Sequence, residues 1–228
     1  MKFIFLFFYN FFEDFIHLKR IKKLLKNKII LSKPIIFDIG CHKGKLTRLF
    51  NNIYINPKIF CFEPNKNFNK SLKRIGKNIN LYNTAFGDKQ EIKNFILNEI
   101  NLTNSFSKKN DQSFYLIIKN LIIGKKTKDL KTKVKINTID NFCLRKKIKK
   151  IDLLKIDVEG YEYQVLLGAR KILKSVKYIM IEIQNNNMYS GYSKKKIQNF
   201  LKKNNFELVK KFNFPFMFFE DCVYKKIN

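Results

Sequence analysis

Only 18 of the 228 residues are acidic, against 47 that are basic, so where the acids stand is informative. Asp38, Glu63, Asp88, Asp157, Glu159 and Glu182 all fall at or just beyond the C-terminal ends of segments that read as β-strands. A carboxylate can accept hydroxyl donors, face a cation, or take a proton from a reacting group. Carboxylates crowded into a partly dry cleft repel one another, so a cation or several donors must share that space. The plain alternative is that these are solvated loop acids, since acids favour turns. Six of 18 acids on one kind of position argues against it.

The elements that must carry them follow a regular order. From Pro34 onward, β-rich runs alternate with helical stretches, the pattern of a parallel sheet with crossover helices. Strands are expected over 35–39, 58–62, 80–85, 92–97, 134–137, 152–156 and 178–183. Helices are expected over 43–52, 65–77, 138–145, 163–173 and 194–203. Segments 206–211 and 216–224 read as two strands bracketing Pro215, a hairpin, and 98–133 is assigned no regular structure. The fold class is α/β, Rossmann-like and doubly wound. In such a sheet the C-terminal strand ends form one edge, where ligands bind.

The first turn sharpens the chemistry. Phe37 to Gly44 reads as strand end, glycine-bearing turn and helix start. Gly40 lets backbone approach a ligand, and Gly44 lets the helix pack tightly. A dinucleotide fold needs G-x-G-x-x-G, so that amides meet a pyrophosphate. Here Asp38 stands two before Gly40 and would repel one. The D-x-G-x-x-x-G turn instead suits a ligand with a positively charged amino-acid end. Glu63, 23 residues after Gly40, is placed for ribose hydroxyls. S-adenosylmethionine, with an ammonium, a sulfonium and a ribose, meets both demands.

The net charge of +29 invites a nucleic-acid reading. Yet only five of the 47 basic residues are Arg, the usual tool for bidentate phosphate and base contacts. Abundant Lys, Asn, Ile and Phe fit an A/T-rich coding sequence, so no specific nucleic-acid partner is expected. Cys41, Cys61, Cys143 and Cys222 form no C-x-x-C pair, and His17 and His42 lie far apart. No zinc site is expected, and free thiols fit a reduced cytoplasmic compartment. The Phe-rich run from Phe3 to Tyr9 is short of the ~20 apolar residues of a spanning helix and carries no cleavage signal. Phe8, Phe12, Phe15, Ile16 and Leu18, followed by Lys19, Arg20, Lys22 and Lys23, suggest an amphipathic helix over residues 1–30. It can pack on the main domain or lie peripherally on an anionic membrane.

Taken together, three stretches resemble the FkbM-type S-adenosylmethionine-dependent methyltransferases. They are Phe37 to Gly44, Phe60-Cys61-Phe62-Glu63-Pro64-Asn65, and Asn83-Thr84-Ala85-Phe86-Gly87-Asp88. The most specific match is Lys155-Ile156-Asp157-Val158-Glu159-Gly160-Tyr161-Glu162 followed by Val165-Leu166-Leu167-Gly168-Ala169. The resemblance runs from about Ile35 to Glu182. It implies a methyltransferase domain over 31–228, with a seven-stranded sheet whose last strand is antiparallel, and O-methylation of a hydroxyl. It places Asp38, Gly40 and Gly44 at the methionine end of the cofactor, Glu63 at the ribose, and Ala85, Phe86 and Asp88 at the adenine. Asp157 and Glu159 should face the methyl group and acceptor, and Asn104-Ser105 resembles a motif on the acceptor side. His42 stands at a variable position.

Transfer to a hydroxyl needs a base within hydrogen-bond reach of the acceptor. Asp157, Glu159 and Glu182 are the candidates, with His42 weaker. Asp157 and Glu159 also offer oxygen ligands for a cation, but the spacing shows no third ligand, so no metal is expected. The resemblance implies a sugar, glycolipid or natural-product-like hydroxyl as the acceptor. Two rival functions remain. A nicotinamide oxidoreductase shares the architecture but would need the missing glycine loop. A basic nucleic-acid or membrane-binding module explains the charge but not the convergent carboxylates.

Overall fold

The computed structural model describes residues 12–97, 105–107, 110, 113, 130–185, 188–213 and 219–227, and the side chains of these from Phe15 onward. A π-helical turn, Phe12–His17, leads into helix α1, Leu18–Lys28. Then follow β1 Ile35–Ile39, α2 Lys45–Ile53, β2 Lys58–Phe62, α3 Asn69–Lys73, β3 Ile79–Tyr82, β4 Ala85–Phe86, β5 Glu91–Leu97 and β6 Leu130–Asn137. The second half comprises α4 Ile139–Arg145, β7 Ile151–Ile156, α5 Glu162–Leu167, β8 Val176–Gln184, α6 Lys194–Lys203, β9 Phe206–Asn213 and β10 Phe219–Lys226.

Seven strands form one sheet in the order β3-β2-β1-β7-β8-β10-β9. The pairs from β3 to β8 are parallel, and β10 runs antiparallel between β8 and β9. The expected C-terminal hairpin therefore forms, with its second strand inserted next to β8. This places Asp221 of β10 opposite Glu182 of β8 in register. β4, β6 and β5 form a separate three-stranded sheet.

Two apolar layers hold the main sheet, because successive side chains of a strand face opposite sides. Phe37, Phe60 and Phe62 join Phe86 and Phe142 on one face. Ile36, Ile59 and Cys61 join Phe50, Ile21, Leu24 and Leu25 on the other. The rings of Phe62 and Phe86 lie 4.7 Å apart, and those of Phe62 and Phe142 4.9 Å, edge to face, a preferred arrangement for aromatic quadrupoles. Helix α1 is thus part of the core through Ile21, Leu24 and Leu25, an i, i+3, i+4 set. The expected stripe shifts accordingly: Phe15 and Ile16 are exposed, while Met1 to Phe11 lie outside the described residues.

Three expected elements are broken, two of them for a local reason. The expected strand 80–85 ends at Tyr82, because the Asn83 amide donates to the Glu63 carbonyl and to Asn69. Ala85–Phe86 then leaves for the second sheet. The expected helix 65–77 is a 3-10 turn, Lys66–Phe68, and the short α3. The expected helix 163–173 stops at Gly168, where a Cβ would stand 1.9 Å from the Gly87 carbonyl oxygen. Asp140 then caps the following 3-10 turn by accepting the amides of Lys171 and Ile172. Cys41, Cys61, Cys143 and Cys222 are all free and buried. Among the described residues, no helix is long and apolar enough to cross a membrane.

Candidate active site

A cavity of about 270 Å³ opens at the C-terminal edge of the main sheet. Gly40, Glu63, Ala85 and Phe86 line one part of it, and Asp157, Glu159 and Glu182 line the other. Of the ten residues picked from the sequence, these seven are brought together. Asp38, Gly44 and Asp88 are not on its wall. Asp38 is fully buried beneath it, where its carboxylate accepts from the Thr47 hydroxyl at 2.6 Å and pairs with Lys155 at 3.1 Å. A Cβ on Gly44 would meet Ile75 and Leu72, so this glycine seats α2 against α3. Asp88 is exposed in the turn after β4.

The two parts of the cavity meet at Gly40 and are bridged by Lys155. Gly40 has φ +76°, and a Cβ there would stand 1.8 Å from the Asp157 carbonyl oxygen; only glycine lets the two loops touch. Lys155, in register beside Asp38, is buried and donates to the Gly40 carbonyl at 2.7 Å. Its ammonium also stands 3.4 Å from Asp157. Burial works to lower its pKa, but Asp38 and Asp157 outweigh that and hold it above the ordinary lysine value. This is the compensating cation the crowded acids require, a role the sequence motif alone did not assign.

Glu63 sits at the end of β2 and is buried. Its two oxygens accept the backbone amides of His42 and Asn65, both at 2.9 Å. Burial raises its pKa to about 7 despite those two bonds. A carboxylate has about four acceptor positions, so added hydroxyl donors would favour its ionised form. His42 itself turns at φ +49° and lays its ring against Phe68.

The loop after β7 is held in an unusual shape. Glu159 has φ +55°, a left-handed conformation that L-residues keep only when surroundings enforce it. Ser105 donates to the Glu159 carbonyl at 2.5 Å, and Ser107 to the Gly160 carbonyl at 2.9 Å. Buried Glu162 accepts the amides of Val158 and Gly160 through one oxygen. Tyr189 donates to the Glu159 carboxylate at 2.5 Å, with its ring where a Cβ on Gly160 would fall. Ser105 thus supports the loop from behind, and Asn104 lies outside the described residues.

Carboxylate oxygens of Asp157, Glu159 and Glu182 lie within 4.8 Å of one another. Burial and then the neighbouring carboxylates push Glu182 well above the usual carboxylate range. Asp157 is also raised, by burial and by Asp221, with Lys155 opposing. Asp221 joins the same wall and bonds the buried His17 at 2.5 Å. Neither residue was legible as a site member, since they meet across 204 residues.

Comparison with known proteins gives the family. The Methyltransferase FkbM domain matches residues 38–208. The chain belongs to the FkbM methyltransferase family. It therefore carries a methyltransferase domain, and its cofactor is S-adenosylmethionine. It is similar to the 2-O-methyltransferase NoeI of Sinorhizobium fredii, 27% identical over 172 residues, covering 69% of this chain and 66% of that protein. The chain thus spans just under two thirds of that relative's length. In fold it resembles the magnesium protoporphyrin IX methyltransferase of Synechocystis PCC 6803 with bound S-adenosylmethionine, at TM-score 0.52 and 8% identity over 92% of this chain and 78% of that one. It also resembles a protein of the NADB-Rossmann superfamily from Streptococcus agalactiae, at TM-score 0.51 and 12% identity, covering 93% and 69%.

Proposed function

We propose that the protein methylates a hydroxyl of a sugar, glycolipid or natural-product-like acceptor. The observation that carries this is the trio Asp157, Glu159 and Glu182, converging within 4.8 Å on the cavity wall. The similar NoeI, a 2-O-methyltransferase, supports oxygen as the target atom.

Glu63 holds the ribose, Gly40 gives the amino-acid end its close approach, and Ala85 and Phe86 border the adenine. Bound S-adenosylmethionine supplies an electrophilic methyl group. The protein's part is to place the acceptor oxygen roughly 3–3.5 Å from it, to exclude water, and to take the hydroxyl proton. Three facing carboxylates exchange protons as a unit, because removing one charge relieves the others. Asp157, beside Lys155, orients the hydroxyl, while Glu159 and Glu182 take its proton between them.

The same trio supplies the third oxygen ligand that the sequence spacing lacked, which favours a second reading in which a divalent cation polarises the acceptor. Methyl-labelled S-adenosylmethionine incubated with a panel of hydroxylated sugars and glycolipids tests both. The proton-sharing reading expects label in an alkali-resistant methyl ether, undiminished by a chelator. Loss of transfer on chelation, restored by a divalent cation, would select the metal. Label found only on nitrogen or in an alkali-labile ester would sink the acceptor class.

A further inference from the structure

Helix α1 has two dissimilar sides. Its inner side builds the active site: His17, just before it, and Leu18 and Ile21 line the cavity. Its outer side carries Lys19, Lys22, Lys23 and Lys26, flanked by Arg20, which lies 5.7 Å over the Phe212 ring, and by Lys28 at the helix end. All six are exposed, and the helix contains no acid. Directly before it, Phe15 is 54% and Ile16 40% exposed. The Lys19 ammonium lies 5.5 Å above the Phe15 ring, so the cations and the aromatic share one face. The sequence just before this face, Phe3 to Phe12, has six Phe among ten residues. Residues 1–28 hold seven cations against two acids, Glu13 and Asp14.

Single exposed apolar residues are ordinary on a protein surface. Apolar side chains interleaved with a cationic array are the chemistry of a helix that lies in a membrane interface. We propose that this outer face docks on an anionic lipid bilayer and holds the cavity at the membrane surface. An anionic surface attracts each juxtaposed Lys through its charge alone, without the bidentate geometry that nucleic acids ask of Arg, and Arg20 is the single Arg here. The outer face of a helix stands roughly 10 Å from its inner face, so headgroups would lie one helix thickness from the cavity wall. An acceptor whose hydroxylated head protrudes from the bilayer reaches the carboxylates without leaving it.

Full-length protein is sedimented with phosphatidylcholine vesicles, with or without about a third phosphatidylglycerol, at low and raised salt. The expected result is co-sedimentation with the anionic vesicles only, weakened by salt. Lys19→Glu with Lys23→Glu should lower the partition ~10-fold or more, and Phe15→Ser with Ile16→Ser should release protein at low salt too. The cofactor-induced rise in melting temperature, unchanged in both variants, shows that they fold and that the outcome bears on docking, independently of the acceptor chemistry. Partitioning that ignores lipid charge, or equal partitioning of wild type and both variants, overturns the proposal. Displacement of wild type from vesicles by a nonspecific oligonucleotide, with both variants still bound as tightly to that oligonucleotide, would assign the charge to general anion binding and overturn it as well.

Discussion

The two parts of the cavity handle negative charge differently. On the β1–β2 side one carboxylate, Glu63, is fixed by two backbone amides. On the β7–β8–β10 side Asp157, Glu159, Glu182 and Asp221 face one another, relieved by Lys155, Tyr189 and His17. A carboxylate fixed by amides is a stationary acceptor, fit for holding hydroxyls. Carboxylates that repel one another pass a proton among themselves at little expense in free energy, because removing one charge relieves the others. Holding and proton transfer are thus separated in space, joined where Gly40 meets the Asp157 carbonyl and where Lys155 reaches both.

The sharpest way to break that division is at the crowded side. Asp157→Asn or Glu159→Gln keeps shape but removes charge, and should lower turnover ~10²–10⁴-fold with cofactor binding retained. Near-normal turnover together with a lowered melting temperature would mean that the pair only holds the loop. The next largest effect belongs to the other side. Glu63→Ala should weaken cofactor affinity roughly 10- to 100-fold, the loss of hydrogen bonds to a charged group, while turnover at saturating cofactor survives. If turnover vanished with affinity intact, the two sides would not divide the work as argued.

Tyr189 tests whether the crowded side is built or merely crowded. Its hydroxyl donates to the Glu159 carboxylate and so stabilises the ionised form. Tyr189→Phe should lower turnover about 10-fold, in line with one charged hydrogen bond, and leave cofactor affinity alone. It should also move the acidic limb of the pH–activity profile upward, because Glu159 becomes harder to ionise. A lowered melting temperature with an unmoved profile would reduce Tyr189 to a packing role against Gly160.

The fixed side was the more legible in the sequence, because its parts are neighbours along the chain. β1, β2 and Glu63 stand where the β-rich runs and the glycine turn put them. Asp38 stands beneath the wall, and a strand-end acid reads alike in sequence whether it points into a cleft or down onto Thr47 and Lys155. Gly44 packs α2 against α3 and Asp88 is exposed off the wall, a difference that motif position does not reveal. The crowded side was legible only through Asp157, Glu159 and Glu182. Asp221 needs the insertion of β10 beside β8 to arrive, and His17 needs α1 to cross the sheet edge. Tyr189 carries no motif; the positive φ of Glu159 that explains it exists only in three dimensions.

The smallest effect, and the most diagnostic of the fixed side, is the pH dependence of cofactor affinity. Burial raises Glu63 to about 7 in the free protein, so near pH 6 most molecules carry it neutral. Ribose hydroxyls bind the ionised form, so binding must draw the pKa down and release a proton. A raised folded-state pKa also means that Glu63 favours the folded protein most at low pH, a contribution lost as pH rises from the ordinary carboxylate value toward 7. The free protein is thereby weakened over the same window in which the cofactor gains. Affinity should accordingly tighten about 5- to 10-fold from pH 6 to pH 8 and level off above 7. Calorimetry in two buffers of different ionisation enthalpy should detect the released proton near pH 6 and none near pH 8. Glu63→Gln, which cannot ionise, should bind weakly and with a flat profile, whereas Glu162→Gln, on the other side of the cavity and itself raised to about 8 by burial, should leave the slope in place. An affinity that is flat in the wild type, or that weakens as pH rises, would mean that Glu63 does not meet the ribose.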